Sequence, residues 1–272
     1  MIRYLKKHVS TIVLIFIALL FIWPMLWIVS ASFDAQATLA VRLPKDFTWD
    51  SYKAVLSEPA NFRSFLNSSI ISFTQATLVV ILSMFAAYPL SRSTIKGKDR
   101  IMLSLLFITG LPITAIMVPV YMMFFNLKIV NSLISTSLFL TASVLPYSIW
   151  IMKNFMDDVP ISLEEAAWVD GANFLQTLKT IIVPVILPGM CVVFIMAFSG
   201  SWGNFFVPFI LLNSVEKAPA AVAIYQFFGM WGRVAYGQLA AFSLLYTMPI
   251  VILYFVSQRF MSRGFIFSGA VK

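Results

Sequence analysis

The sequence predicts an all-α integral membrane protein with six transmembrane helices and a short cytoplasmic helix between helices four and five. Of its 272 residues, 60% are hydrophobic and 11% are charged, whereas a soluble domain carries about 25% charged residues. The apolar residues lie in long runs without Asp, Glu, Lys or Arg, and short segments between the runs carry nearly all the charge. Each run reaches the ~20 apolar residues that a spanning helix needs, which indicates a multi-pass membrane protein.

Six charge-free runs define the predicted spans of a single membrane domain, residues 1–272. They cover about 11–33, 64–91, 101–127, 129–152, 180–212 and 234–258. The fifth run is longer than one helix requires, so we expect a span near 181–201 followed by an embedded or surface-lying piece. Lys128 and Asn131 mark a tight turn between spans three and four. The first run has the basic flank of a signal peptide, but its length favours an uncleaved anchor.

Lys and Arg residues in the loops predict the orientation. With the N-terminus inside, the inner segments hold 12 of these residues and the outer segments hold 7. The positive-inside rule therefore places both termini in the cytoplasm, and we expect the chain in a bacterial plasma membrane. The basic residues sit in short loops and not along one polar face, which argues against nucleic-acid binding. The polar first outer segment, Asp34 to Arg63, is expected to cap the membrane face or to contact an external partner.

The inner loop 157–179 is the most unusual segment between two spans. Ser162 followed three residues later by Glu165 has the spacing of a capping box, which predicts the start of a helix outside the membrane. Gly171 is placed to end that helix, because glycine accepts the left-handed conformation of a helix terminus. From Phe174 onward a helical pattern resumes and leads into span five. The loop therefore predicts a helix-turn-helix on the cytoplasmic surface.

The charge of this short helix favours a protein partner over a lipid surface. Helices that lie on lipid headgroups are rich in Lys and Arg, whereas this one carries Glu164, Glu165 and Asp170. Small alanines between the acidic residues would permit close approach of another surface. We therefore predict that the loop docks on a protein.

The loop resembles a known motif. The residues that carry the resemblance are Glu165-Ala166-Ala167, Asp170-Gly171-Ala172, Ile182, Pro184 and Pro188. Together they are similar to the EAA loop of binding-protein-dependent ABC importer permeases. In that family the loop is the coupling helix that sits in a cleft of the ATPase subunit. The resemblance implies an ATPase-coupling role for Glu165, Ala166, Ala167, Asp170, Gly171, Ala172 and Pro184.

Three further stretches resemble the carbohydrate-uptake group of that family, which includes the maltose permeases. They are Pro146, Trp150, Phe155 and Pro160; then Trp202, Phe205 and Pro208; and the tail residues Gln258, Arg259, Gly264, Gly269, Ala270 and Lys272. The resemblance implies three kinds of partner: a second permease subunit, a dimer of ABC ATPase subunits and an extracytoplasmic solute-binding protein. It also implies that the tail, through Arg259, Gly264, Gly269 and Lys272, reaches into the ATPase dimer.

The sequence contains no machinery for using ATP, so we expect no enzyme activity and no cofactor bound by this chain. A phosphate-binding G-x-x-x-x-G-K-[ST] motif is absent, and Gly97-Lys98 is a lone pair in a basic loop. The runs hold no ionisable residue, which argues against proton or sodium coupling. ATP and Mg are therefore expected on a separate ATPase subunit. The single cysteine, Cys191, has no neighbour for a disulfide or a metal site, and we interpret it as packing.

Candidates for the substrate path follow from how proteins hold sugars. Aromatic faces and neutral hydrogen-bonding groups suit a sugar, and the candidates are Tyr147, Trp202, Asn204, Gln75 and Tyr121. For each single aromatic candidate, the alternative interpretation is a lipid-facing or interfacial residue, which is the more common place for an aromatic side chain in a span. An ATP-independent carrier or facilitator, and a scaffold that transports nothing, remain as alternative functions. The identity of the carbohydrate stays open.

Overall fold

The computed structural model describes residues 2–40, 42–229 and 234–269, and it describes side chains for 11–40, 42–229 and 234–258. Two compact units divide the chain, one of residues 1–62 and 223–249 and the other of residues 63–222 and 250–272. Lys272, one of the predicted tail contacts, lies outside the described residues.

Twelve α-helices account for most of the described chain. They are α1 (Ile2–Ser32), α2 (Asp50–Ser57), α3 (Pro59–Arg92), α4 (Lys98–Thr109), α5 (Ile113–Asn126), α6 (Leu133–Asp157), α7 (Ile161–Val169), α8 (Phe174–Thr177), α9 (Val183–Trp202), α10 (Phe206–Leu211), α11 (Ala220–Ala223) and α12 (Tyr236–Gly269). A π-helical turn, Leu178–Ile182, joins α8 to α9. Within the described residues, five stretches are long and apolar enough to cross a membrane, and they lie in α1, α3, α6, α8–α9 and α12.

The third predicted span, 101–127, is not one straight helix. Its residues form α4 and α5, whose axes differ by 88°. Pro112 precedes α5 in an extended conformation, with φ −67° and ψ 124°. A proline disfavours the helical region for the residue before it, which favours an end of α4 before Leu111. The predicted count of six spans holds when this bent pair is taken as one span.

Other helix boundaries differ from the predicted runs mainly at the charged ends. The helix of span four, α6, continues to Asp157, where Lys153 and Asp157 form an ion pair one turn apart. The helix of span six, α12, continues to Gly269, so the described part of the predicted tail is helical from Arg259 to Gly269. The short α10 is the extra piece expected after span five.

In the first unit, an aromatic cluster orders the segment after α1. Phe33 packs against Phe47 with ring centroids 5.0 Å apart, and Trp49 and Tyr52 contact the same ring. An isolated bridge pairs Asp34 with Phe47 and holds the cluster together. Along α1, side chains 11–30 are exposed or half-buried, so this span presents apolar surface on all sides.

In the second unit, a core cluster lies where α3, α5, α6 and α10 meet. Its buried members are Ile71, Met117, Phe124, Leu140, Val207, Leu211 and Leu212. The predicted turn between spans three and four lies at its edge, with positive φ at Lys128 and Asn131. The Asn131 amide donates to the Leu211 carbonyl at 2.8 Å, and Lys217 donates to the Asn131 carbonyl. The turn therefore ties α5 and α6 to the chain after α10.

Spans four and five approach each other closely at Gly189 of α9. A methyl group added there would lie 2.3 Å from Cγ of Phe155 and 2.8 Å from its Cβ. Small residues let membrane helices pack at short range, and glycine is the smallest. The α6–α9 packing therefore depends on the absence of a side chain at residue 189.

Gly189→Ala is expected to destabilise the protein by about 1–3 kcal/mol, because the added methyl group forces the Phe155 ring away from its packed position. The measurement is the thermal unfolding midpoint of the purified protein in detergent. Gly200→Ala is the matched control in the same helix, since a methyl group at residue 200 meets no atom within 4 Å. Equal midpoints for the two variants would contradict the assignment of Gly189 as a close-contact position.

Candidate coupling site

Helix α7 begins two residues earlier than the capping-box spacing predicts, because that spacing makes Ser162 the N-cap. Its first helical residue is Ile161, and Pro160 occupies the N-cap without any side-chain hydrogen bond. Ser162 therefore lies inside the first turn, and the predicted capping box of Ser162 and Glu165 is wrong. Proline at the N-cap loses no intrahelical hydrogen bond, because the first N–H groups of a helix have no partner within it. The helix therefore starts at Pro160 and not at Ser162.

The predicted end of α7 at Gly171 is confirmed. Gly171 has φ +86°, the left-handed conformation that glycine adopts without strain. The Ala172 amide donates to the Ala167 carbonyl at 2.9 Å, and the Gly171 amide donates to the Trp168 carbonyl at 3.0 Å. This pair of hydrogen bonds is a Schellman motif, which satisfies two carbonyls at the helix end.

A capping box does occur, but it lies at the start of α8. The Asn173 side chain accepts from the Gln176 amide at 3.0 Å, and the Gln176 side chain accepts from the Asn173 amide at 2.8 Å. The turn between α7 and α8 is thus closed from both sides by local hydrogen bonds. Beyond α8 the π-helical turn leads into α9, with Leu178 and Ile182 buried. The helix-turn-helix predicted for this loop is present.

Two faces of α7 differ sharply in exposure. Glu164 and Ala167 are buried, whereas Glu165 and Ala166 are exposed. The outward face also presents Trp168, which is 49% exposed, and Val169, which is 88% exposed. Glu165 makes no hydrogen bond or ion pair with any described side chain. The outward face of α7 therefore combines an unpaired carboxylate with uncovered apolar surface.

The inward face of α7 is held by Glu164, which sequence reasoning did not single out. Nε of Arg92 donates to Oε1 of Glu164, and the Tyr88 hydroxyl donates to Oε2 at 2.9 Å. Arg92 also donates to the Val159 carbonyl at 3.0 Å. The Glu164 side chain is 1% exposed and that of Arg92 is 11% exposed. Removing either partner of such a buried pair leaves an uncompensated charge, which costs about 3–5 kcal/mol.

Further contacts join the end of α3 to the neighbouring helices. Ser91 donates to Oδ1 of Asp157, the last residue of α6, at 2.7 Å. The Tyr88 ring packs edge-on against Phe174 of α8, with centroids 5.0 Å apart. The last turn of α3 therefore contacts α6, α7 and α8.

A helical wheel of α7 could have indicated the role of Glu164. Glu164, Ala167 and Gly171 are spaced three and four residues apart, so they share one face, and Glu165 lies on another. The partner could not be found in this way, because Arg92 lies 72 residues earlier in the chain.

The substrate-path candidates do not form one group. Gln75 is buried and its Nε2 donates to the Leu140 carbonyl at 3.3 Å, while Tyr121 packs on the core cluster that contains Leu140. The Asn204 side chain accepts from the amide of Val207 at 3.0 Å, in the first turn of α10, which belongs to the same region. These three candidates therefore surround one part of the second unit, and each already has a structural role.

The two aromatic candidates differ in their accessibility. Trp202 is buried and stacks on Phe198, with ring centroids 5.6 Å apart. Tyr147 is 40% exposed and stacks on Trp150 at 6.1 Å. Of the two, only Tyr147 offers an open ring face. Within the described residues, no group of three or more His, Cys, Asp or Glu side chains could hold a metal ion.

Known proteins with similar sequences are transport proteins. Residues 79–266 match the model of the family described as binding-protein-dependent transport system inner membrane component. The trehalose/maltose transport system permease protein MalG of Thermococcus litoralis is 28% identical, over 98% of both chains. The galactooligosaccharides transport system permease protein GanQ of Bacillus subtilis is 27% identical, over 98% of this chain and 96% of that protein.

Solved structures show the same fold. A bacterial ABC transporter involved in the import of the acidic polysaccharide alginate contains a chain with a TM-score of 0.81 and 22% identity, over 94% of this chain and 96% of that one. A bacterial alginate ABC transporter in complex with an alginate pentasaccharide-bound periplasmic protein gives a TM-score of 0.66 at 15% identity, over 96% and 94%.

Gly171→Val is expected to open the turn between α7 and α8, because a β-branched residue at positive φ is strained. Gly171→Asn should be tolerated better, since Asn adopts the left-handed conformation more readily. Hydrogen exchange of the amides at residues 171 and 172 measures the opening of this turn directly. We expect faster exchange in the Val variant by roughly tenfold, which corresponds to the 1–2 kcal/mol cost of the left-handed conformation. Equal exchange in both variants would contradict the role assigned to this φ angle.

Proposed function

Since this chain belongs to the family of binding-protein-dependent transport system inner membrane components and is an ABC importer permease, we propose that its cargo is a sugar, namely an oligosaccharide or a related carbohydrate. The relatives that match almost the full chain transport trehalose and maltose or galactooligosaccharides, by their names. A third, MdxG of Bacillus subtilis, is a maltodextrin permease at 26% identity over 98% of this chain. These relatives and the importers of similar fold support a saccharide as cargo.

The observation that carries the proposed mechanism is the split between the two faces of α7. The inward face is fixed to its own chain through Glu164, and the outward face leaves Glu165, Trp168 and Val169 uncovered. An exposed apolar patch beside an unpaired charge is typical of a protein interface. We therefore assign α7 as the coupling helix that docks on an ATPase subunit. Glu165 would pair there with a basic group of the ATPase.

Two further partners complete the proposed complex. A second permease subunit would cover membrane-embedded apolar surface of this chain, of which α1 presents a large share. A solute-binding protein would dock on the face opposite to α7; the alginate transporter of similar fold forms a complex with a periplasmic protein, which supports a partner of this kind. In this arrangement both termini and α7 are cytoplasmic, in agreement with the excess of Lys and Arg in the inner loops.

The substrate path is proposed to include Tyr147, whose ring is accessible, with Gln75, Tyr121, Trp202 and Asn204 as further candidates. Gln75 retains a buried Oε1 without a hydrogen-bond partner among the described atoms. A free acceptor of this kind suits a sugar hydroxyl if the path opens beside it. The tail residues Arg259, Gly264 and Gly269 stay candidates for contact with the ATPase dimer.

Glu165→Lys is expected to abolish transport and to weaken copurification of the ATPase subunit by at least roughly tenfold, because loss of a charge from an interfacial pair commonly costs 2–5 kcal/mol. The protein should still reach the membrane, since Glu165 is exposed and supports no described contact. Asp99→Lys is the control, with the same change of charge at an exposed position in the first turn of α4. Full transport by the Glu165→Lys variant would refute the docking assignment.

The sugar assignment is tested with the purified complex in lipid vesicles. Uptake of radiolabelled maltose, trehalose, a maltodextrin and a galactooligosaccharide is measured with and without internal ATP and the copurified binding protein. We expect uptake of at least one of these sugars, and only when both ATP and the binding protein are present. Uptake without ATP would instead identify a facilitator, and the absence of uptake for every saccharide would overturn the proposed cargo.

A further inference from the structure

We propose that α3, the helix of span two, transmits motion across the membrane, because polar contacts hold it to the coupling helix at one end and to an outer segment at the other. The outer segment is defined here as residues 214–220. This inference rests on the proposed function, in which α7 receives the motion of the ATPase. It adds a second route for this motion, besides the direct route along the chain from α7 to span five.

The inner end of α3 is fixed to α7 by polar groups whose separation would cost stability. Arg92 donates to Glu164 and to the Val159 carbonyl, and Tyr88 donates to Glu164. Both charged side chains are largely removed from solvent, so water would not replace their bonds readily. A displacement of α7 must therefore move the end of α3 or break a buried ion pair.

The outer end of α3 is fixed in the same manner by neutral groups. Nδ2 of Asn67 donates to the Glu216 carbonyl at 2.8 Å and to the Ala218 carbonyl at 3.2 Å. The Ser68 hydroxyl accepts from the Ala220 amide at 2.8 Å. Asn67 and Ser68 are both buried. Three hydrogen bonds thus join one turn of α3 to the backbone of the outer segment.

The helix between these two ends is suited to act as one rigid element. It has 34 residues, which gives a length of about 50 Å at 1.5 Å per residue. Buried positions recur every three or four residues from Ser64 to Leu90, so one continuous stripe is packed along the helix. No charged residue interrupts that stretch. A shift at one end is therefore carried to the other end unless the helix bends.

The outer segment is placed to respond to such a shift. Val215 is 79% exposed. The backbone after it is held by Asn67 and Ser68, and the side chain of Ser214 before it donates to Oδ1 of Asn131. A movement of α3 would therefore change the position of an accessible residue on the face where the binding protein would dock. Coupling is reciprocal, so a protein bound on that face would equally influence α7.

The experiment follows the outer segment while the nucleotide state changes on the opposite side. Val215→Cys is introduced together with Cys191→Ser, and the purified complex is treated with ATP and orthovanadate. The reaction rate of the introduced thiol with a membrane-impermeant maleimide is then measured. We expect the nucleotide treatment to change this rate when both ends of α3 are intact.

Two substitutions then disconnect α3 at opposite ends. Glu164→Gln removes the charge at the inner end, and Asn67→Leu removes the hydrogen bonds at the outer end. In each variant we expect the nucleotide-dependent change in labelling to fall roughly tenfold, the scale on which single substitutions alter coupling between sites. Asp158→Asn is the matched control, because this neighbouring carboxylate is exposed, and it should leave the change intact.

Loss of folding is separated from loss of transmission by two further measures. First, all rates are measured on assembled complex that retains the ATPase subunit. Second, the variant Tyr88→Phe removes only the hydroxyl that donates to Glu164 and keeps the ring against Phe174. We expect Tyr88→Phe to reduce the nucleotide-dependent change in labelling, but by less than Glu164→Gln does. The double variant Glu164→Gln with Arg92→Lys should be no worse than the more severe single variant, since both break the same contact.

Three results would overturn the proposal: a nucleotide response that persists in Glu164→Gln or Asn67→Leu, equal loss in the Asp158→Asn control, or no response in the complex with intact contacts. None of them contradicts the proposed function, which fails separately if Glu165→Lys leaves ATPase association and transport unchanged.

Discussion

The buried carboxylate of Glu164 is the constraint on which the geometry of this side of the protein depends. A carboxylate removed from water needs an opposite charge and hydrogen bonds, because the low-dielectric interior offers no other compensation. Arg92 and Tyr88 supply both from the last turn of α3. The position of α7 is therefore determined by a helix that precedes it by some 70 residues in the chain, and not by its direct connection to span five alone.

Glu164 and Glu165 show how one helix can bind to its own chain on one face and leave another face free for a partner. Adjacent residues of an α-helix point about 100° apart, so two neighbouring carboxylates face different surroundings. Glu164 meets its own chain, and Glu165 is left for a partner. The Schellman turn at Gly171 then fixes the direction in which α8 and α9 leave. A force on the exposed face would thus reach both α9, along the backbone, and α3, through the ion pair.

Features that arise from local chemistry could be predicted from the sequence. The spans follow from composition, and the turn at Gly171 follows from the freedom of glycine at positive φ. The 88° bend in span three does not follow from its apolar run, because such a run reports composition and carries no direction; Pro112 marks a site where a membrane helix can bend, but not the size of the bend. The spacing of Ser162 and Glu165 misplaces the start of α7, because the helix starts two residues earlier, with Pro160 at the N-cap. The contact of Arg92 with Glu164 joins distant parts of the chain, and a single sequence holds no local signal for such a pair.

Unsatisfied polar atoms on α3 bear on how freely this helix could move. The Ser72 hydroxyl and Oε1 of Gln75 are buried and have no hydrogen-bond partner among the described atoms. A buried polar atom without a partner costs about 1–3 kcal/mol, so these two groups favour any conformation of α3 that brings a hydrogen-bond partner to them. An importer alternates between conformations that differ by only a few kcal/mol. Helix α3 is therefore joined to its neighbours by strong polar contacts at both ends, while the polar groups at its middle do not hold it in one conformation.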